Sequence, residues 1–142
     1  MKFFFLLLFT LSTARANCWN DAAKMFNISP ELLYAIAQQE SALNPNAVGQ
    51  NLNGSQDLGL MQINTLHLPR LSKLGISREQ LNDPCISILV GASILADMMK
   101  RYGYSWEAVG AYNAGTAPDR RDLRLRYAEK IHKRYRKLKL EN

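Results

Sequence analysis

The residue with the clearest capacity for chemistry in this chain is Glu40. Counted from Leu33, the positions Ile36, Ala37 and Glu40 follow at three, four and seven residues, so at helical spacing the carboxyl group shares a face with the apolar stripe. Burial penalises the ionised form, so a carboxyl group turned inward can remain protonated and serve as a proton donor near neutral pH. The competing reading is an acid partly exposed at the C-terminal end of its helix, where the negative end of the dipole gains nothing from it. Asp57 is a second carboxylate of interest. It either reaches the same site or caps the short helix expected to start at Gly59, a position in which Asp is common. His67 and His132 have no Cys-His or His-Glu spacing around them, and no metal or cofactor is expected.

The elements that must position these groups read as helices. Ser29-Pro30-Glu31 combines an N-cap residue, a proline at the first helical position and an acid near the positive dipole end, opening a helix that ends near Ser41. The polar composition of 49–58 predicts a loop, and the short apolar piece Gly59-Leu60-Met61-Gln62-Ile63-Asn64 predicts one or two helical turns. Ser77-Arg78-Glu79-Gln80 has capping-box spacing and predicts a short helix ending before Asp83-Pro84. Asp83 and Pro84 then open a long helix to Gly103, apolar nearly all round and so a candidate for the centre of the core. Ser105 caps another helix over 106–113, and a last one starts near Asp119 with Leu123, Tyr127, Ile131 and Tyr135 at four-residue steps. No run of alternating β-branched residues stands out, and an all-α fold is expected.

Length and composition agree with one domain: 142 residues, 47% hydrophobic and 21% charged. No apolar run reaches the roughly 18 to 20 residues that span a bilayer as a helix. Residues 1–16 have a charged start at Lys2, an apolar block over 3–11 and an Ala14-Arg15-Ala16 cleavage pattern, which predicts a secretory signal peptide and a mature domain over 17–142. Export to the periplasm would bring the chain into an oxidising compartment. Cys18 and Cys85, its only two cysteines, are then a candidate disulfide in preference to two reduced, buried thiols. Charge is divided unevenly. Residues 119–142 hold ten Lys and Arg against four Asp and Glu, whereas 17–118 hold six against eight. The basic segment lacks interleaved exposed aromatics of the base-stacking kind, so nucleic acid is not an expected partner. It is either a solvated face or an attraction to an anionic surface or polymer.

Three segments carry a family resemblance. Glu40-Ser41 after an apolar helix, Gly59-Leu60-Met61-Gln62-Ile63-Asn64 some twenty residues on, and Ala111-Tyr112-Asn113-Ala114-Gly115 in the last third resemble the signature motifs of the lytic transglycosylase catalytic domain, the lysozyme-like family that cleaves peptidoglycan. Size, leader and basic tail also resemble small specialised members associated with secretion, conjugation or pilus machines.

The resemblance implies a two-lobed, lysozyme-like helical fold with a saccharide groove, working as a monomer on peptidoglycan glycan strands. It implies Glu40 as the sole catalytic acid and base, with Ser41 helping to orient it or contacting the sugar. Met61, Gln62 and Asn64 would line the groove, Tyr112 would hold Glu40 by a hydrogen bond, and Asn113 would contact the same site. Gly59 and Gly115 would permit close approach or positive φ at helix ends. Where the family often has further glycine after its last motif, this chain has Thr116-Ala117-Pro118-Asp119, so the loop bordering the groove is expected to have its own shape. Two other readings remain: a lysozyme-type hydrolase that uses water with Asp57 as second carboxylate, and a catalytically silent wall-binding assembly protein.

Overall fold

A computed structural model of the chain describes residues 17–142, so the leader expected over 1–16 lies outside the described residues. Six α-helices are present among the described residues: α1 (Cys18–Phe26), α2 (Pro30–Ser41), α3 (Leu68–Lys73), α4 (Pro84–Tyr102), α5 (Trp106–Ala114) and α6 (Arg121–Glu141). Several boundaries follow from local chemistry. Asp83 caps α4 by accepting the Ile86 N–H at 3.1 Å, and Ser105 caps α5 by accepting that of Ala108 at 3.2 Å. Ser77 and Gln80 form a reciprocal capping box, although the turn that it opens, Glu79–Asn82, is 3-10 in geometry. Ser29 does stand before the Pro30 start of α2, but its hydroxyl donates to the Glu31 carboxylate at 2.8 Å and caps no backbone group.

Helix α4 is the central element, burying Ser87, Ile88, Val90, Gly91, Ala92, Ile94, Leu95 and Met99. Leu33, Ile36 and Ala37 of α2, Ala108 and Val109 of α5, and Tyr127 and Ile131 of α6 belong to the same buried cluster. Helices α5 and α6 cross closely, because a Cβ at Gly110 would collide with the Arg124 backbone carbonyl. The disulfide Cys18–Cys85 joins α1 to the first turn of α4 with a Cα–Cα distance of 5.3 Å. Closing a loop of 67 residues stabilises the fold by roughly 4 kcal/mol on the chain-entropy model.

The helical expectation omits one feature. Three short strands, β1 (Val48–Gln50), β2 (Gln56–Leu58) and β3 (Ile63–Asn64), form an antiparallel sheet in the order β1-β2-β3, with Gly49 opposite Asp57 and Asp57 opposite Asn64. The segment Gly59-Leu60-Met61-Gln62-Ile63-Asn64 is accordingly not helical. It is a tight turn closed by the Gln62 N–H on the Gly59 carbonyl at 3.1 Å, running into β3. Gly59 has φ +76° and faces the Leu81 carbonyl so closely that a side chain would collide with it, so the residue serves a strand-to-turn junction and not a helix end.

Candidate active site

Helix α2 is buried along its apolar stripe up to Ala37 and presents Glu40 one turn later, at the edge of a cleft of about 650 Å³. The opposite wall comes from the small sheet and its hairpin, with Asn51, Ser55, Asp57 and Asn64. His67, Tyr112, Asn113 and Arg120 also line the cleft. One oxygen of Glu40, Oε1, accepts the Tyr127 hydroxyl at 2.8 Å and the Asn113 amide at 3.2 Å. Burial raises the Glu40 pKa above the ordinary carboxylate value. The hydrogen bonds from Tyr127 and Asn113 oppose that rise, and the negative charge of Asp57 adds to it. The outcome is a carboxyl group held in one orientation and biased toward its protonated form.

Asp57 is treated differently by its surroundings. It projects from β2, not from a turn or cap, and each oxygen has its own amide donor: Asn64 to Oδ1 at 3.0 Å and Asn51 to Oδ2 at 3.1 Å. Asn64 also accepts the Leu66 N–H at 2.9 Å, so the side chain that fixes Asp57 is itself fixed at the start of the Thr65–His67 turn. Ser55 accepts from Asn51 at 3.1 Å and from Asn64 at 3.0 Å, completing a polar lattice under the sheet wall.

The residues singled out by sequence divide into three groups. Glu40, Gln62, Asn64, Tyr112 and Asn113 line the cleft together. Ser41 does not touch the Glu40 carboxyl; its hydroxyl donates to the Leu60 carbonyl at 2.6 Å and to that of Ala37 at 3.1 Å, tethering the end of α2 to the Gly59 turn. Met61 is fully buried and lies outside the cleft lining, packed against Gly91 of α4, where an added Cβ would meet its Cε at 2.8 Å. Its backbone N–H is taken by the buried Ser87 hydroxyl at 3.0 Å. Met61 is therefore a core residue and not a sugar platform.

Tyr112 is the second correction. Its hydroxyl donates to the Met61 carbonyl at 2.6 Å and makes no hydrogen bond to Glu40. The tyrosine that holds Glu40 is Tyr127, which α6 delivers from the far end of the chain and which helical spacing marks only as apolar core. A phenolic hydroxyl on a buried stripe needs a partner, and that is the available signal. Gln62, with φ +53°, spends its amide N–H groups on the Ala47 and Gly59 carbonyls at 3.2 and 2.9 Å, which braces the turn. His67 lines the cleft with its pKa lowered, mainly by burial and then by Arg70. The distinctive loop after Gly115 is held from α6. Buried Arg124 donates to the Gly115 and Ala117 carbonyls at 3.2 and 2.8 Å and pairs with Glu107 at 3.1 Å.

The sequence model of the Transglycosylase SLT domain matches residues 17–135, a span that takes in both walls of this cleft. The chain belongs to that family. Its activity class is accordingly that of a lytic transglycosylase, with peptidoglycan as substrate. Invasion protein IagB of Salmonella typhimurium (strain SL1344) is 66% identical to it over 143 residues, covering 98% of this chain and 89% of IagB. Protein IpgF of Shigella flexneri is 48% identical over 140 residues, covering 98% of this chain and 92% of IpgF. The fold is similar to that of an inactive mutant of the lytic transglycosylase Slt from Pseudomonas aeruginosa, with a TM-score of 0.68 and 24% identity over 86% of this chain. This domain spans only 23% of the Slt chain. The lysozyme-like helical architecture expected from the motifs is thus the one observed.

Proposed function

We propose that Glu40 is the single acid and base of this transglycosylase, and that it cleaves the bond between N-acetylmuramic acid and N-acetylglucosamine with formation of a 1,6-anhydro ring. The observation that carries the reading is the Glu40 carboxyl itself, partly withdrawn from water at the cleft edge and held on one oxygen by Tyr127 and Asn113. Protonated Glu40 gives its proton to the glycosidic oxygen as the C1–O bond breaks. The substrate's own acetamido group steadies the oxocarbenium-like centre. Glu40, now a carboxylate, removes the proton from the muramic C6 hydroxyl, which closes on C1, and no water is consumed. An intramolecular hydroxyl competes well because its effective concentration is high. In this reading Asn113 positions the acid, Asn64 and Gln62 shape the groove, and Ser41 keeps the Gly59 turn against α2.

A second reading is favoured by one specific observation: Asp57 faces the same cleft and its charge acts on Glu40. Held by two amides, it is suited to stabilise the cationic centre, or to direct a water molecule in a lysozyme-type hydrolysis. Product mass separates the two. Muropeptides lighter by one water support the anhydro product, and reducing ends mean hydrolysis.

The wider role proposed is local opening of the cell wall for a secretion, conjugation or pilus apparatus, after export by the leader over 1–16 to the periplasm. The similarity to a protein named for invasion supports it, as does a disulfide of the kind that persists in oxidising compartments. The decisive experiment is Glu40→Gln assayed on purified sacculi. Turnover is expected to fall by about 10² to 10⁴ with folding and wall binding kept. Unchanged solubilisation would overturn the assignment, and a wild-type protein that binds sacculi without releasing muropeptides would identify a silent assembly factor instead.

A further inference from the structure

The positive charge of this chain is concentrated at one place for which the catalytic reading has no use. Residues 119–142 carry ten Lys and Arg. Four are held by a carboxylate or a backbone carbonyl: Arg124 and Arg121 lie 3.1 and 3.8 Å from Glu107, Lys139 lies 4.0 Å from Glu31, and Arg120 donates to the Ala114 carbonyl at 2.5 Å. The remaining six, Arg126, Lys130, Lys133, Arg134, Arg136 and Lys137, are all exposed, and none is in an ion pair among the described residues. All but Arg136 recur at three- and four-residue steps and share one flank of α6, spanning about 16 Å at 1.5 Å per residue.

Position separates this flank from an ordinary solvated face. Lys130, Lys133, Arg134 and Lys137 line a shallow hollow of about 300 Å³ together with Gln39, the residue before Glu40. Arg134 donates to Gln39 Oε1 at 3.0 Å across the seam between α2 and α6. The same seam carries the Tyr127 to Glu40 hydrogen bond. Arg120 lines the cleft itself.

We infer that this flank is a docking surface for the carboxylate-bearing side peptides of the peptidoglycan strand whose glycan the cleft holds, an inference that rests on the function proposed above. The charge complementarity is direct. A strand with acidic peptides on its muramic residues presents several carboxylates to several cations at once, and multivalency turns weak exposed contacts into useful affinity. A lipid surface fits less well, because Tyr127, Ala128 and Ile131 of α6 are buried in the core and the exposed Leu123, Leu125 and Leu140 do not line the lysine hollow, so no apolar side chain stands beside these cations to insert. The flank also offers no aromatic side chain on which a nucleic-acid base could stack.

The test uses the full chain with Lys130, Lys133 and Lys137 all changed to Gln, residues that touch neither Glu40 nor its partners. Co-sedimentation is measured in the Glu40→Gln background, so that the wall is not consumed. Intact sacculi are expected to bind the triple variant about tenfold more weakly than its parent at low salt, with the difference fading at high salt. Sacculi whose peptide carboxyl groups are converted to neutral amides with ammonia and a carbodiimide should bind both alike, and a Lys→Arg triple variant should bind like the parent. With Glu40 in place, cleavage of short soluble glycan fragments should be unchanged by the triple substitution. Equal binding of parent and triple variant to intact sacculi would overturn the inference. So would a lysine dependence that survives amidation of the peptide carboxyl groups, or one seen on vesicles of anionic phospholipid and not on sacculi. Loss of cleavage by the wild-type chain would instead strike the catalytic reading.

Discussion

The two walls of the cleft hold their carboxyl groups by opposite means. On the helical wall, Glu40 sits at the end of a stripe buried against α4, and what it gains from Tyr127 and Asn113 is less than what burial takes away, so its pKa is raised. On the sheet wall, Asp57 is fixed by side-chain amide donors, with Asn64 and Asn51 each on one oxygen. One wall withdraws its carboxyl group from water and the other pins its carboxyl group between side-chain amides. Two carboxyl groups in one small cleft are thus given separate surroundings, by packing on one side and by side-chain amides on the other.

The largest effect is expected at Glu40. Glu40→Gln is expected to remove about 10² to 10⁴ of the turnover on sacculi, read from released muropeptides. The same substitution has a signed effect on stability. A carboxyl group whose folded pKa lies above its unfolded value favours folding fully below the unfolded pKa, and that contribution is lost as pH rises through the folded pKa. Replacing the acid by a neutral amide should therefore raise the melting temperature at neutral pH, with the gain vanishing below about pH 4, near the unfolded carboxyl range. A variant that is less stable at pH 7 than the parent would refute the burial argument.

Removing the charge on the sheet wall comes next. Asp57→Asn should lower turnover by about tenfold or more if that carboxylate faces a cationic centre. It should also move the alkaline limb of the rate profile to lower pH, because the charge that helps raise the Glu40 pKa is gone. Tyr127→Phe is expected to cost several-fold in kcat with little change in KM, and to move the same limb the other way, since the lost hydrogen bond is one that lowers the pKa. The two variants are expected to shift this limb in opposite directions, and shifts in the same direction would refute the opposed influences of Asp57 and Tyr127 on Glu40. The smallest effect on rate belongs to Tyr112→Phe. It leaves the Met61 carbonyl without its donor and should appear chiefly as a stability loss of about 1 to 2 kcal/mol by denaturant titration.

The helical wall is also the legible one. Apolar periodicity in α4 and α6, the Asp83 and Ser105 caps, and the inward face of Glu40 are all local consequences of 3.6-residue geometry, so they can be read along the chain. The sheet cannot. Strands of three, three and two residues are too short for alternation to register, and what makes them a sheet is the register that sets Asp57 between Gly49 and Asn64. Met61 misleads for a related reason. Its motif points to a groove, but its side chain turns to the gap left by Gly91 on a helix thirty residues away in sequence. The exchange of Tyr112 for Tyr127 as the partner of Glu40 is likewise a matter of which helix reaches which, and periodicity supplies faces but not neighbours.

The bridge from Cys18 to Cys85 ties the opening residue of the first helix to the start of the helix at the centre of the core. A wall-cutting catalyst built this way completes its fold only after two thiols have surrendered their electrons. Among the reducing couples of the cytosol it would have to do without that clamp, so the full robustness of the molecule is deferred to surroundings where the clamp can form and persist.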